Sequence, residues 1–157
     1  MSKSKISNSI NIKNKRAKFE YHILDTFVSG IQLGGTEIKS IRNGKASILE
    51  AFCVVERNEV FIRNMHIAEY SNASFYQHKP KADRKLLLNR KEIQKIQKGL
   101  ETKGYTVVPL RLFINDKGLA KLEIALAKGK KLYDKRQDLK EKDDKRSMDR
   151  VKKDYRV

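Results

Sequence analysis

The apolar residues of this sequence fall into short runs, separated by turn residues, between positions 19 and 127. In the first run, apolar and polar side chains alternate at Phe19, Tyr21 and Ile23. A period of two residues is typical of a strand that packs one face against a core. The predicted strands share this β-rich character and lie at 19–27, 31–33, 51–55, 60–65, 106–114 and 119–127.

Turn signals connect four of these strands into two hairpins. Asn115–Gly118 predicts a tight turn between the last two strands. The polar tip Arg57–Glu59 predicts a similar turn between the strands at 51–55 and 60–65. The sheet is therefore predicted to be mainly antiparallel.

Two helices are predicted between the strands. Asn89 and Glu92 have the spacing of a capping box, and the apolar stripe that follows predicts a helix ending near Gly104. Thr36 is predicted as the N-cap of a shorter helix ending near Gly44. The stripe of the longer helix consists of Ile93, Ile96 and Leu100.

This set of elements restricts the fold class. About six short strands with one or two helices exclude a helical bundle, and the lack of repeated crossover helices excludes a doubly wound sheet. We expect a mainly β fold with some α-helix, built as a small antiparallel barrel. Because such a fold does not establish a function, the function must be argued from its residues.

Charge divides the chain into three parts. The 157 residues include 36 Lys and Arg against 19 Asp and Glu, a net charge of +17. Residues 1–18 carry +6 without any acid, residues 19–127 carry +5, and residues 128–157 carry +6. Basic charge at both ends indicates a polyanionic partner. We therefore predict a basic N-terminal arm (1–18), a barrel domain (19–127) and a basic tail (128–157).

The tail has too few apolar residues to fold alone, and we expect it to be disordered in the free protein. It nevertheless has helix-forming acid-to-base pairs four residues apart. Its apolar pairs, Leu132 with Leu139 and Met148 with Val151, fall on nearly opposite helix faces, so one continuous core-packing helix is not expected. The tail is predicted to become helical on a polyanionic surface. The acid-to-base pairs are Asp138–Lys142, Glu141–Lys145 and Asp149–Lys153.

Several classes of protein do not fit the sequence. It has no apolar run near the roughly 20 residues of a membrane span and no signal-peptide pattern, so we expect a cytoplasmic protein. Cys53 lies in an apolar run and is predicted to be a core residue. His22, His66 and His78 lie in different segments without ligand spacing. We predict no catalytic residue, no metal site and no cofactor.

The basic clusters are the candidate binding residues, since cations neutralise phosphates and give salt-dependent affinity for RNA. Tyr133 beside the second cluster could stack on a base. The alternative is that the clusters are merely solvated. Leu86, Leu87 and Leu88 cannot all point inward, so one is predicted to be exposed. The clusters are Lys13, Lys15, Arg16 and Lys18, and then Lys128, Lys130 and Lys131.

Five segments in order resemble the tmRNA-binding protein family of bacterial trans-translation, also called small protein B or SsrA-binding protein. The resemblance spans nearly the whole chain and implies a six-stranded, oligonucleotide-binding-like barrel with flanking helices and a C-terminal tail that is disordered when free. The segments are Asn14–Ala17, Gly35–Lys45, Asn64–Ile67, Arg84–Asn89 and Ala127–Arg136.

The resemblance also implies a function and partners. Members of the family bind the tRNA-like domain of tmRNA and are delivered with it to ribosomes stalled on messages without a stop codon. The tail enters the empty mRNA channel beside the decoding centre, becomes helical and licenses peptide tagging. Elongation factor Tu and alanyl-tRNA synthetase are implied as indirect partners through tmRNA. We expect a monomer without enzymatic activity.

By position, the resemblance implies RNA-facing residues at Asn14, Lys15, Arg16, Leu87 and Lys121. It implies a ribosome-interacting tail motif at Asp134, Lys135 and Arg136, within a segment that includes Gly129, Lys130, Lys131 and Tyr133. Two departures stand out. Val28 replaces a usual Glu, and Lys79, Ala82 and Asp83 depart from an Asp-Pro-x-Arg-x-Arg pattern.

Two other functions were weighed. A generic single-strand RNA-binding or translation-factor-like barrel would bind RNA without regard to its structure, and its tail would add affinity directly. A small basic nuclease would need a cluster of acids, histidines or metal ligands, and the sequence offers none.

Overall fold

A computed structural model describes residues 10–73 and 75–154 of the chain. The beginning of the predicted arm, 1–9, and the end of the predicted tail, 155–157, lie outside the described residues. The elements in chain order are β1 (Asn11–Lys13), α1 (Ala17–Glu20), β2 (Tyr21–Ile31), α2 (Gly35–Arg42), β3 (Ala46–Ser47), β4 (Phe52–Glu56), β5 (Glu59–Arg63), β6 (His66–Ile67), β7 (Arg84–Leu87), α3 (Arg90–Leu100), β8 (Tyr105–Ile114), β9 (Ala120–Gly129) and α4 (Leu132–Asp154).

Six strands form a closed antiparallel ring in the order β8-β4-β5-β7-β2-β9, and β9 pairs back with β8. Closure leaves no free edge in the ring, which is how small β-proteins avoid edge-to-edge aggregation. Strand β1 pairs with β8 outside the ring, and β3 pairs with β6 as a separate two-stranded sheet. The predicted mainly β fold with a six-stranded antiparallel barrel is confirmed.

The identity of one barrel strand differs from the prediction. Residues 31–33 do not form a separate strand, because β2 continues without interruption to Ile31. The remaining barrel strand is β7, whose alternation was hidden because its inward side chains are Arg84 and Leu86. The first strand also begins at Tyr21 and not at Phe19, since the short helix α1 precedes it.

The core fills the interior of the ring. Ile62, Leu86, Leu112 and Ile124 are fully buried there, each from a different strand. Helix α3 adds the fully buried Ile96, and it begins as predicted, because Oδ1 of Asn89 accepts the N–H of Glu92 at 2.9 Å. The helix ends at Leu100, four residues before the predicted Gly104.

Helix α2 begins at a different cap from the predicted one. Gly34 is the N-cap, and its N–H donates to the Glu37 carboxylate at 3.0 Å. Thr36 lies inside the first turn, where its hydroxyl bonds to Nδ1 of the buried His78 at 2.8 Å. The prediction of Thr36 as N-cap is wrong because Glu37 satisfies the free N–H group of the preceding glycine.

Arg84 ties α2 to the loop before β7. Its buried guanidinium pairs with Glu37 and donates to the carbonyls of Met65 at 2.8 Å, Ala82 at 3.1 Å and Pro80 at 3.2 Å. A buried cation with this many acceptors is fully satisfied. The charged side chain therefore serves as a structural anchor under the barrel wall.

The tail is a single helix, α4, in this structure. Its apolar residues Leu139, Met148 and Val151 are exposed, in agreement with the expectation that it lacks a core-packing face. Disorder of the free tail stays a prediction. In the described part of the chain, none of the helices combines the length and apolar character needed to cross a bilayer.

Candidate nucleic-acid interface

Strand β2 brings Leu87 and Lys121 to one side of the barrel. Gly30 on β2 pairs with Leu87 of β7 on one edge and with Lys121 of β9 on the other. A Cβ at position 30 would lie 3.1 Å from Cβ of Leu87, so only glycine lets the two strands approach in this way. Two residues 34 positions apart in sequence thus share a face.

Together these residues line a shallow groove of about 350 Å³, which we call the lateral groove. Leu87 and Leu119 expose about half of their side chains there. Arg42 and Lys121 add positive charge, while apolar atoms make up most of the wall. A groove with apolar walls and cations at its edge suits a nucleotide, since its base is flat and apolar and its phosphate is anionic.

Val28 lies two positions before Gly30 on the same outward face of β2. It is half exposed, and its cross-strand partner on β9 is Glu123. The Glu123 carboxylate accepts from Nε of Arg111 at 2.6 Å. The face around Val28 therefore retains a carboxylate, on the neighbouring strand and paired with a cation.

The residues 79–83, the second departure, form a loop anchored from below. The Lys79 carbonyl accepts from Arg84 at 3.2 Å, and Asp83 accepts from Nε of Arg63 at 3.3 Å. Lys79 is exposed while Ala82 is half-buried. The loop conformation thus depends on backbone carbonyls, which any residue at 79 or 82 can supply.

The predicted arm residues divide into two groups. Lys15 and Arg16 are exposed. Asn14 is buried instead, where its N–H donates to the Leu110 carbonyl at 2.7 Å and its side-chain amide donates to the Pro109 carbonyl at 3.0 Å. In this structure Asn14 fastens the described part of the arm to β8 and presents its exposed neighbours, Lys15 and Arg16.

The second basic cluster, after β9, is divided in a similar way. Lys128, Gly129 and Lys131 are exposed. The side chain of Lys130 is largely buried, and its ammonium group donates to the Lys18 carbonyl at 2.9 Å and pairs with Asp138 of α4. The Lys130 charge is therefore already paired within the protein.

The tail motif also splits by orientation. Asp134 faces the barrel, where its carboxylate lies 3.3 Å from Nε2 of His22. The ammonium of Lys135 lies 6.0 Å from the centre of the Phe19 ring, a cation–π distance. Arg136 and Tyr133 are exposed. The first two motif residues thus contact the barrel and the third points to solvent.

The chain belongs to the SmpB protein family. A family model described as SmpB protein matches residues 11–154. The SsrA-binding protein of Bacteroides thetaiotaomicron is 60% identical over 143 residues, 91% of this chain and 95% of the relative. That of Christiangramia forsetii is 56% identical over 151 residues, 96% of each chain. The resemblance inferred from the five sequence segments is confirmed.

A solved structure supports both the SmpB fold and the assignment. It comes from work described as "tmRNA-SmpB: a journey to the center of the bacterial ribosome", and its chain is 40% identical to this one. The match has a TM-score of 0.67 and covers 79% of this chain and 87% of that chain. The barrel described above is therefore the fold of a known SmpB structure.

A second groove in this SmpB chain was not predicted from sequence. It has a volume of about 820 Å³ and lies between the described arm, strands β8 and β9, and helix α4. We call it the arm groove. Phe19, Arg111 and Lys142 line it but were not among the predicted site residues, because no local pattern brings them together. Its other cations are Lys13, Lys15, Lys18 and Lys145, and its acids are Glu123, Asp138 and Glu141.

The remaining titratable residues are structural. Cys53 is buried in β4, and burial raises the pKa of its thiol far above the ordinary value, so it stays protonated. Nε2 of His78 bonds to the Ile67 carbonyl at 3.0 Å. Among residues 10–73 and 75–154, no three His, Cys, Asp or Glu side chains are arranged to hold a metal ion.

Proposed function

We propose that this protein binds the tRNA-like domain of tmRNA and delivers it to ribosomes stalled on messages without a stop codon. It acts by binding and not by catalysis, as a monomer in the bacterial cytoplasm. Elongation factor Tu and alanyl-tRNA synthetase act with it only through tmRNA. Family membership supports this proposal, as do relatives named SsrA-binding protein and a structural neighbour from tmRNA-SmpB work.

The observation that carries the tmRNA part is the meeting of Leu87 and Lys121 in the lateral groove. These residues come from different strands, so a folded surface and not a linear motif recognises the ligand. Lys121 neutralises a phosphate, and the exposed Leu87 packs against a base or sugar. Such contacts favour an RNA of defined shape over a flexible single strand.

The arm adds affinity without sequence preference. Lys15 and Arg16 are exposed next to the arm groove, where further cations outnumber the acids. Each phosphate that a cation neutralises releases counterions, so affinity falls steeply as salt rises. The lateral groove supplies recognition and the arm supplies charge.

We assign the tail a separate task on the ribosome. Helix α4 has 23 residues and is therefore about 34 Å long. It exposes many cations and few apolar groups, which suits a path surrounded by rRNA phosphates. In this proposal the tail occupies the empty mRNA channel near the decoding centre and so licenses peptide tagging, because a channel filled by mRNA would exclude it.

A pulldown across a salt ladder tests the tmRNA part. Tagged protein is incubated in a bacterial lysate, and the RNA retained at each salt step is sequenced. We expect one tmRNA species to survive at salt concentrations that release bulk tRNA and mRNA. The double variant Leu87→Ala, Lys121→Ala should lose this enrichment, whereas Lys95→Ala, which removes an exposed cation from α3, should keep it.

The same experiment can reject the proposal. If all RNAs leave the protein together, without enrichment, the barrel is a generic single-strand RNA binder. If Lys95→Ala lowers enrichment as much as the double variant, total charge and not the lateral groove selects the RNA.

A further inference from the structure

Two carboxylates on one face of α4 hold the helix to the barrel. Asp134 contacts His22 of β2, and Asp138, one turn later, pairs with Lys130. Residues four apart lie on the same side of a helix, so both carboxylates face the barrel together. The contacts join positions that are 112 residues apart and 8 residues apart in the chain.

The first of these contacts also orders the start of the helix. The carboxylate of Asp134 accepts the backbone N–H of Lys131 at 3.3 Å, just before the helix begins at Leu132. A free N–H at a helix start is stabilised by such an acceptor, and a negative charge in the first turn favours the helix dipole. One carboxylate therefore both caps α4 and ties it to His22.

The second contact has a fixed partner. Lys130 donates its backbone N–H to the Glu20 carbonyl at 2.8 Å, and its ammonium donates to the Lys18 carbonyl at 2.9 Å. The Lys130 side chain is only 9% exposed. Because Lys130 is held by α1 in this way, Asp138 binds to a rigid part of the barrel and not to a mobile surface lysine.

Apolar packing does not orient the helix. Leu132 and Leu139, in the same turns as the two aspartates, are exposed at 65% and 50%. The other contacts of this region are the ammonium groups of Lys135 and Lys142, each 6.0 Å from the Phe19 ring. Polar and cation–π contacts, rather than a buried seam, thus determine how α4 lies on the barrel.

We propose that His22 and Lys130 are positioning residues that, through Asp134 and Asp138, fix the direction in which the tail helix leaves the barrel. The functional consequence rests on the proposed role of the tail. Of the tail motif, Asp134 then acts on the protein itself, while Arg136, which is exposed, remains available to RNA. A tail that points in one direction from the barrel would enter a channel more readily than one that must search.

The direction can be measured without RNA by the distance between two spin labels. Cysteines replace Leu24 on β2 and Met148 on α4, both exposed positions. The parent chain is the labelling control, since its one cysteine, Cys53, is buried. We expect a single narrow distance distribution in the otherwise unchanged full-length protein. A broad distribution there would overturn the proposal.

Variants then identify the contacts. His22→Ala and Asp138→Ala should each broaden the distribution, and His22→Lys, which retains a donor for Asp134, should restore it. The matched controls His66→Ala and Asp143→Ala, which remove an exposed histidine and an exposed carboxylate elsewhere, should leave it narrow. An unchanged distribution in both His22→Ala and Asp138→Ala would refute the assignment of these residues.

Peptide tagging on stalled ribosomes supplies the second measurement. His22→Ala and Asp138→Ala should lower the tagging rate about ten- to hundredfold, the loss expected when a group is misplaced by about an ångström. His22→Lys should recover it, and affinity for tmRNA should not change. Tagging at the full rate by a variant with a broad distribution would show that direction is irrelevant. If the parent protein fails to tag but keeps a narrow distribution, the proposed function fails and the positioning contacts stand.

Discussion

The barrel and the tail helix are held in place by different kinds of contact. The barrel is a closed ring of six strands around fully buried side chains such as Ile62 and Ile124. Helix α4 buries no comparable core and meets the barrel through the His22–Asp134 and Lys130–Asp138 pairs. Hydrophobic burial is strong and non-directional, whereas paired polar groups are weaker and depend on geometry.

This difference has a consequence for function. Loss of a few polar contacts can change the direction of the tail and leave the barrel intact. Loss of a core side chain weakens every surface that the barrel presents, including the lateral groove. The two regions should therefore respond in opposite ways to mutation, with tail variants altering activity and barrel variants altering stability.

Removal of the tail is expected to have the largest effect on activity. A chain ending after Lys131 keeps all of β9, whereas a chain ending at Ala127 would lose the pairs of Lys128 and Gly129 with β2. We expect the longer truncation to abolish peptide tagging while its melting temperature and tmRNA affinity stay close to those of the full chain. Equal loss of tagging and tmRNA affinity would contradict the separation of the two regions.

Replacement of Arg84 by Gln tests a polar contact inside the barrel. The change leaves the Glu37 carboxylate, which is nearly buried, without its ionic partner, and breaking a buried pair costs about 3–5 kcal/mol. Urea unfolding measures this loss. Arg63→Gln is the matched control, since its pairs with Glu56 and Asp83 are largely exposed and should contribute about 0–1 kcal/mol. Similar losses in both variants would show that burial does not distinguish the two arginines.

Two local signals in the sequence were sufficient to predict their elements. Asn115–Gly118 predicts a hairpin turn, and the structure has it between β8 and β9. Asn89 with Glu92 predicts the start of α3, and both capping bonds are present. Each signal acts within four residues, where backbone hydrogen bonds alone determine the outcome.

Elements that depend on distant partners were missed. Strand β1 contains a single apolar residue, Ile12, and forms because β8 offers an edge about 100 residues later. Strand β7 was hidden because the inward-facing Arg84 interrupts the apolar pattern. The partners of Lys130 and His22 could not be found either, since sequence reasoning assigns exposed cations to ligands before it can see an internal carboxylate.

The contrast between core and tail is sharpest for two apolar truncations. Ile124→Ala removes a fully buried side chain from β9 and should lower the free energy of unfolding by about 2–5 kcal/mol. Val151→Ala, which removes a half-exposed side chain from α4, should change it by less than about 0.5 kcal/mol. Urea unfolding followed by circular dichroism distinguishes these values. A large effect at Val151 would mean that the tail helix packs as part of the barrel.

The smallest expected effect is a change in the titration of Asp134. The hydrogen bond from His22 is the main cause that lowers the pKa of this carboxyl below its usual value of about 3.9, and the Lys131 backbone N–H acts in the same direction. Because the native pKa is depressed, the contact is fully present above the usual value and is lost as the pH falls through the lowered one. Titration by NMR should show His22→Gln raising the pKa of Asp134 toward its usual value, with His66→Gln leaving it unchanged. A pKa that does not respond to His22→Gln would show that the helix cap alone holds the Asp134 charge, and the link between tail and barrel would then depend on Asp138.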